Sequence, residues 1–179
     1  GGGLVGLTLA IALDRHGLTT AVIDPLDPEK ALAAGFDGRA SAIASASWRM
    51  LDALGIAESL QPHSCAIHRI EVRDGLQKDA LDFTTAEDDE PLGYMLENRM
   101  LRQALRDVAV NSTGIRLHMP DRAISVERNE SGVHVTLASG AKLRGQLLLA
   151  CEGRKSPTRE AAGIRVAKWG YDHVAIISA

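Results

Sequence analysis

The sequence predicts a mixed α/β fold, a doubly wound parallel sheet of Rossmann type with an inserted antiparallel sheet. Three observations predict it. A glycine-rich turn opens a small, apolar helix that leads into a short β-branched run, which is the alternation of a parallel sheet. Hairpin signals then crowd the middle of the chain, at Asp74-Gly75, Ser131-Gly132 and Ser139-Gly140. An apolar fraction of 45% in 179 residues is enough for one buried core.

The elements follow in order. Leu4 to His16 is apolar and unbroken until Gly17, so a buried helix capped at Gly17 is expected. Thr19 to Asp24 reads as a strand ending in an acid, and Pro25 and Pro28 as marks of a loop. Ala46 to Gly55 has apolar residues at helical spacing and a terminal glycine. Ile67 to Phe83 alternates as strands do, broken at Asp74-Gly75. Asn98 to Val110 is a third helix with Met100, Leu101, Ala104, Leu105 and Val108 on one side. Ile115 to Leu117, Ala123 to Glu127, Val133 to Leu137 and Gln146 to Ala150 read as strands, and Trp48 and Trp169 as core residues. No internal repeat is present. The chain opens inside a glycine turn and stops in an apolar run, so it is expected to be a fragment lacking its first strand and its C-terminal half.

Composition excludes several classes. With 20 basic and 23 acidic residues the net charge is −3, and there is no long basic run, so no nucleic-acid partner is expected. No apolar stretch approaches the ~18 to 20 residues of a membrane-spanning helix. Cys65 and Cys151 are too few for a disulfide framework, which suits a reducing, cytoplasmic setting. His63, Cys65 and His68 lack a fourth ligand at a zinc spacing, and Glu87 to Glu90 lacks the spaced ligands of a calcium loop, so no metal is expected.

Gly1-Gly2-Gly3-Leu4-Val5-Gly6 fits G-x-G-x-x-G, in which glycines permit a tight turn and let a pyrophosphate approach the free N–H groups of a helix N-terminus. Asp24 ends the next strand, where a carboxylate can accept hydrogen bonds from a ribose diol. The turn and the acid together signal a dinucleotide. An acid here suits an unphosphorylated ribose, hence FAD or NAD(H) rather than NADPH.

Two further segments complete the pattern, Asp37-Gly38-Arg39-Ala40-Ser41-Ala42 and Ala150-Cys151-Glu152-Gly153-Arg154-Lys155-Ser156-Pro157-Thr158-Arg159. Their order after the glycine turn resembles the single-component flavoprotein aromatic hydroxylases of the p-hydroxybenzoate hydroxylase class. Gly93-Tyr94-Met95-Leu96-Glu97-Asn98-Arg99 and Lys168-Trp169-Gly170-Tyr171-Asp172-His173 resemble the ubiquinone-biosynthesis branch of that class. One departure is visible. The late segment of this family usually has Asp where Glu152 stands, and the added methylene shifts a carboxylate by about 1.5 Å. The family's downstream G-D-A-x-H-like segment is expected beyond Ala179.

The resemblance implies an FAD-dependent monooxygenase that uses NAD(P)H and O₂ to hydroxylate a polyprenylated phenol, a quinone precursor. Gly1, Gly3 and Gly6 would hold the FAD pyrophosphate and Asp24 the adenosine ribose. Arg39 would pair with phosphate or lie toward the isoalloxazine; its other reading is a surface arginine. Asn98 would offer a polar group to the flavin, or else cap the helix that starts there. Glu152 and Gly153 would form the late turn of the cofactor site, or an ordinary strand-to-helix turn. Residues 66–97 and 165–179 would contribute to an antiparallel, substrate-side sheet. No catalytic base is named, because the flavin supplies the oxygen chemistry. Peripheral contact with the inner membrane and membership of a ubiquinone-biosynthesis complex are implied in the same way. The alternatives are a flavin oxidoreductase that inserts no oxygen, and a non-catalytic member of a biosynthetic assembly.

Overall fold

The computed structural model describes residues 1–33, 40–75, 80–86 and 89–174. Arg39, with Asp37-Gly38, and the end of the 165–179 stretch lie outside them. Helix α1 (Leu4–Arg15) starts directly from the glycine turn and is followed by strand β1 (Thr20–Ile23). Helix α2 (Pro28–Ala33) comes next, where a loop is expected from the prolines. Pro28 begins the helix instead of breaking it, because the first helical position needs no N–H donor, and Asp27 Oδ1 accepts the Glu29 N–H at 3.0 Å.

Strand β2 (Ala40–Ala44), helices α3 (Ser45–Ala53) and α4 (Ala57–Leu60), and a 3₁₀ turn (Gln61–His63) lead into strands β3 (Ser64–Ile67) and β4 (Arg69–Arg73). Strands β5 (Ala80–Thr84) and β6 (Gly93–Glu97) precede helix α5 (Asn98–Asn111). Strands β7 (Ile115–His118), β8 (Ala123–Asn129), β9 (Gly132–Leu137) and β10 (Lys142–Gly145) and the short helix α6 (Pro157–Ala161) complete the order.

The parallel part is the pair β1–β7, in the register Thr20 to Ile115 through Ile23 to His118. Each of these strands follows a helix, α1 or α5. Its alternating side chains face two layers. On one face Val22 and Ile115 join Leu7, Ala10 and Ile11 of α1 and Leu101, Ala104, Leu105 and Ala109 of α5. On the other face Ile23 packs on Val133, Val135 and Leu137 of the antiparallel sheet β8–β9–β10. A second antiparallel sheet, β2–β6–β3, adds Leu96 to the helical core, and Trp48 of α3 stacks on Tyr94 of β6 with ring centroids 4.0 Å apart. The ribbon β4–β5 pairs Ile70 with Phe83 and Val72 with Leu81, so its four large apolar side chains lie on one face.

Two further segments differ from expectation. Gln146 to Ala150 forms no strand: Leu147 is 73% exposed, and among the described residues no strand runs beside this segment to pair with it. The preceding residues, β10, take the place beside β9. An apolar run shows that a segment can be buried, but a strand also needs a neighbour for its N–H and C=O groups. Residues 165–174 carry neither helix nor strand, and Trp169 there is 70% exposed, since no element packs over it among the described residues.

Leu105 has no exposed surface and sits where α5 meets α1. Leu105→Ala should therefore cost about 2–5 kcal/mol, from lost burial and the cavity left behind. Equilibrium urea unfolding should show this as a lower midpoint with an unchanged slope.

Candidate functional site: a dinucleotide cradle at the glycine turn

The site is built from three pieces of chain: the glycine turn, the end of β1 and the loop from Cys151 to Ser156. Their approach depends on missing Cβ atoms. A Cβ on Gly1 would strike the Cys151 carbonyl oxygen, and one on Gly6 would strike the Gly1 carbonyl and come within 3.2 Å of the Cys151 Cβ. Gly1 and Gly6 thus serve internal packing. Gly3 is different, because a Cβ there would meet nothing within 4 Å. The space over Gly3 is open, and it lies at the start of α1.

That start is arranged for an anion. Gly3 is the N-cap, no side chain among the described residues accepts from the first-turn N–H groups, and the first turn holds no acidic residue. Unsatisfied N–H donors and the positive end of the helix dipole favour a phosphate at such a place.

Asp24 stands beside the turn and is fixed by backbone donors. Its Oδ2 accepts the Gly2 N–H at 2.6 Å and its Oδ1 accepts the Leu26 N–H at 2.8 Å. A carboxylate has about four acceptor positions, so two remain, one on each oxygen. That is the number of donors a ribose diol brings. The link from Gly2 to Asp24 is not visible from residue types, because its donor is a backbone group.

Glu152 and Gly153 lie beside Gly1 through Cys151. Glu152 Oε2 accepts the Ser156 hydroxyl at 2.6 Å and the Thr158 N–H at 3.1 Å. Partial burial disfavours its charged form, but these donors outweigh that effect and hold the carboxyl below the usual glutamate range. Ser156, itself buried, caps α6 by accepting the Arg159 N–H at 3.1 Å. The longer side chain at 152 thus helps start α6. Gly153 has φ +76°, a conformation that disfavours side chains, so the turn needs glycine there. Ser156-Pro157 is a helix-start signal that the sequence carried, and it marks Ser156 as a residue of this loop. Arg159 contributes a buried Nε that lacks a hydrogen-bond partner among the described residues.

Asn98 is in a different setting. The N-cap of α5 is Glu97, and Asn98 Oδ1 accepts the Ser41 hydroxyl at 2.6 Å, tying α5 to β2. This side chain does not cap the helix. Because α1 and α5 both run antiparallel to the parallel strands they precede, their N-termini share one end of the fold, with Asn98 and the glycine turn at that end.

Comparison with known proteins decides the family: the FAD binding domain family matches residues 1–175. The chain belongs to the FAD binding domain family. Its glycine turn, acid and open space over Gly3 fit the ADP portion of that cofactor. Over 177 residues it is 44% identical to ubiquinone hydroxylase UbiL of Rhodospirillum rubrum, covering 99% of this chain and 41% of that protein. It is 34% identical to the 3-demethoxyubiquinol 3-hydroxylase of Escherichia coli, covering 96% of the chain and 44% of the relative. The chain therefore spans less than half the length of these relatives. Among solved structures, PqsL of Pseudomonas aeruginosa, described as a probable FAD-dependent monooxygenase, matches 96% of this chain and 46% of its own. The TM-score is 0.77 at 22% identity, which establishes a shared fold.

Two predictions follow from the glycine and Glu152 geometry. Gly3→Ala should leave thermal stability near that of the parent and weaken FAD binding at least about tenfold, or ~1.4 kcal/mol, whereas Gly6→Ala should lower the melting temperature. Thermal unfolding of the apoprotein and FAD titration separate the two. The depressed Glu152 carboxyl contributes stability that is present above its unfolded value of about 4.3 and is lost as pH falls through the folded value. Below about pH 4.3, Glu152→Gln should lose less stability with falling pH than the parent, read as melting temperature against pH.

Proposed function

We propose that the whole protein is an FAD-dependent monooxygenase that hydroxylates a polyprenylated phenol in ubiquinone biosynthesis, using NAD(P)H and O₂. The reading is carried by the 44% identity to a protein named ubiquinone hydroxylase, over 99% of this chain. The cradle at the glycine turn supports it.

FAD, when bound, supplies electron transfer from the reduced nicotinamide and activation of O₂. The residues of this chain hold and orient it. The N-terminus of α1 takes the pyrophosphate over Gly3, Asp24 takes the adenosine ribose, and the loop of Glu152 and Gly153 fixes the turn from the far side. Arg39 and Asn98 belong to the same assignment as cofactor-side groups. A phenol with a polyprenyl tail partitions into lipid, so peripheral membrane contact, and work within a biosynthetic complex, are part of this reading. No helix among the described residues is long and apolar enough to cross a membrane.

The test uses the full-length protein. It should purify yellow, release FAD on denaturation, and oxidise NAD(P)H with conversion of a prenylated phenol to a product heavier by one oxygen. A protein that stays colourless with added FAD would refute the proposal. Reduced nicotinamide consumption with an unmodified ring would move it to the oxidoreductase without oxygen insertion.

A further inference from the structure

Met119 follows directly on β7, and its side chain reaches the glycine turn. A Cβ built on Gly2 would lie 2.6 Å from Met119 Cε and 2.7 Å from its Sδ, with Asp24 Cβ next at 3.2 Å. The thioether therefore fills the space that a side chain at residue 2 would need, and Asp24 borders the same space. Gly2 is also the residue whose N–H donates to Asp24 Oδ2 at 2.6 Å. Met119 itself is partly buried and packs against the helical core. It connects that core to the backbone group that fixes Asp24.

The chain around Met119 closes on Asp24 as well. The Asp24 N–H donates to the His118 carbonyl at 3.2 Å, and the Asp24 carbonyl accepts the Asp121 N–H at 2.9 Å. Residues 118–121 thus bridge the two backbone groups of Asp24, with Met119 between the points of attachment. Asp121 is fixed in turn, its carboxylate accepting the Arg122 N–H at 2.8 Å, the Ser139 N–H at 3.3 Å and the Ser139 hydroxyl at 2.5 Å. Ser139 lies between β9 and β10, so this clasp is tied to the antiparallel sheet. A binding group has to be held within about 0.5 Å of its productive position by packing and by supporting hydrogen bonds. Asp24 Oδ2 follows the Gly2 N–H, so whatever fixes Gly2 fixes that oxygen. We propose that Met119 is a positioning residue for the ribose-binding carboxylate, its thioether holding the Gly2 backbone where the N–H sets Asp24 Oδ2 for the diol. The inference rests on the assignment of Asp24 to the adenosine ribose, and adds a residue that acts on the ribose only through Gly2 and Asp24.

The test uses the full-length protein stripped of flavin, titrated with FAD and with the FAD analogue that lacks the adenosine 2′-hydroxyl, and followed by flavin fluorescence. The parent should bind FAD at least about tenfold more tightly than the analogue, which offers the carboxylate one donor fewer. Met119→Ala and Met119→Val both lack the atoms that reach Gly2, and each should bring that ratio below about threefold. Met119→Leu keeps a carbon near the Sδ position and should hold the ratio within about twofold of the parent. Weaker binding of both ligands by Met119→Ala at an unchanged ratio would overturn the proposal, because loosening of the core alone produces that result. A parent-like ratio at parent-like affinity would overturn it too. Where Met119→Ala does not fold, the ratio for Met119→Val decides on the same terms. A parent that binds the two ligands equally is a distinct result, and it would remove the assignment of Asp24 to the ribose and this inference with it.

Discussion

The contact of the glycine turn with the backbone at Cys151 is the constraint on which the rest of the site depends. Two Cβ atoms are absent where the chain crosses itself, at Gly1 and Gly6, and either one would collide with backbone. Backbone cannot swing aside as a side chain can, so the separation of the two loops is fixed by this contact. It brings the first residues of α1 next to the loop that carries Glu152 and Gly153. It also leaves Gly3 facing open space. The same residue type thus has two uses within one turn, close packing at the outer positions and access at the middle one.

The layers around β1 and β7 orient that turn. Ile11 and Leu105, both fully buried, lock α1 against α5 on one side of the parallel pair, while Leu137 anchors the β8–β9–β10 sheet that covers the other. Residues separated by more than 90 positions therefore share one core, and the helix start at Gly3 inherits its direction from contacts far along the chain. The ribbon β4–β5 is outside this arrangement. Arg69 reaches both Asp82 and Glu71 across its charged face, while Ile70, Val72, Leu81 and Phe83 stay 43–60% exposed on the other. A two-stranded ribbon is marginal in water, and surface ion pairs add little to it, so these strands draw their order from pairing and not from burial.

Local signals made much of this legible in the sequence. The helices of Leu4, Trp48 and Leu105 were readable because their apolar residues recur at helical spacing before a glycine or after a strand, and the hairpins because each turn carries glycine. Gln146 to Ala150 was misread because apolar character measures the tendency to be buried, while strand formation depends on a partner that sequence alone does not place. Pro28 was misread because proline ends a helix from within yet begins one at its first position. At the site, Gly1, Gly3, Gly6, Asp24, Glu152 and Gly153 were readable as residue types in order. Their division of labour was not, because it rests on distances between backbones: which glycine is packed, which is open, and that Asp24 is held by the Gly2 N–H.

The surroundings of the two site carboxylates resolve an apparent conflict. A pyrophosphate is doubly negative, and Asp24 and Glu152 flank the turn that would receive it. Free carboxylates so placed would oppose binding, since like charges repel at short range. Each is instead met by two donors, Asp24 by the N–H groups of Gly2 and Leu26, Glu152 by the Ser156 hydroxyl and the Thr158 N–H. These dipoles offset part of each negative charge and aim the carboxylates at protein donors instead of the open space over Gly3. The first turn of α1 adds no acid of its own. On the proposed reading the turn would then keep an acid for the ribose and an acid for the start of α6 without forfeiting its attraction for phosphate, with selectivity arising from where its N–H groups point more than from its formal charge.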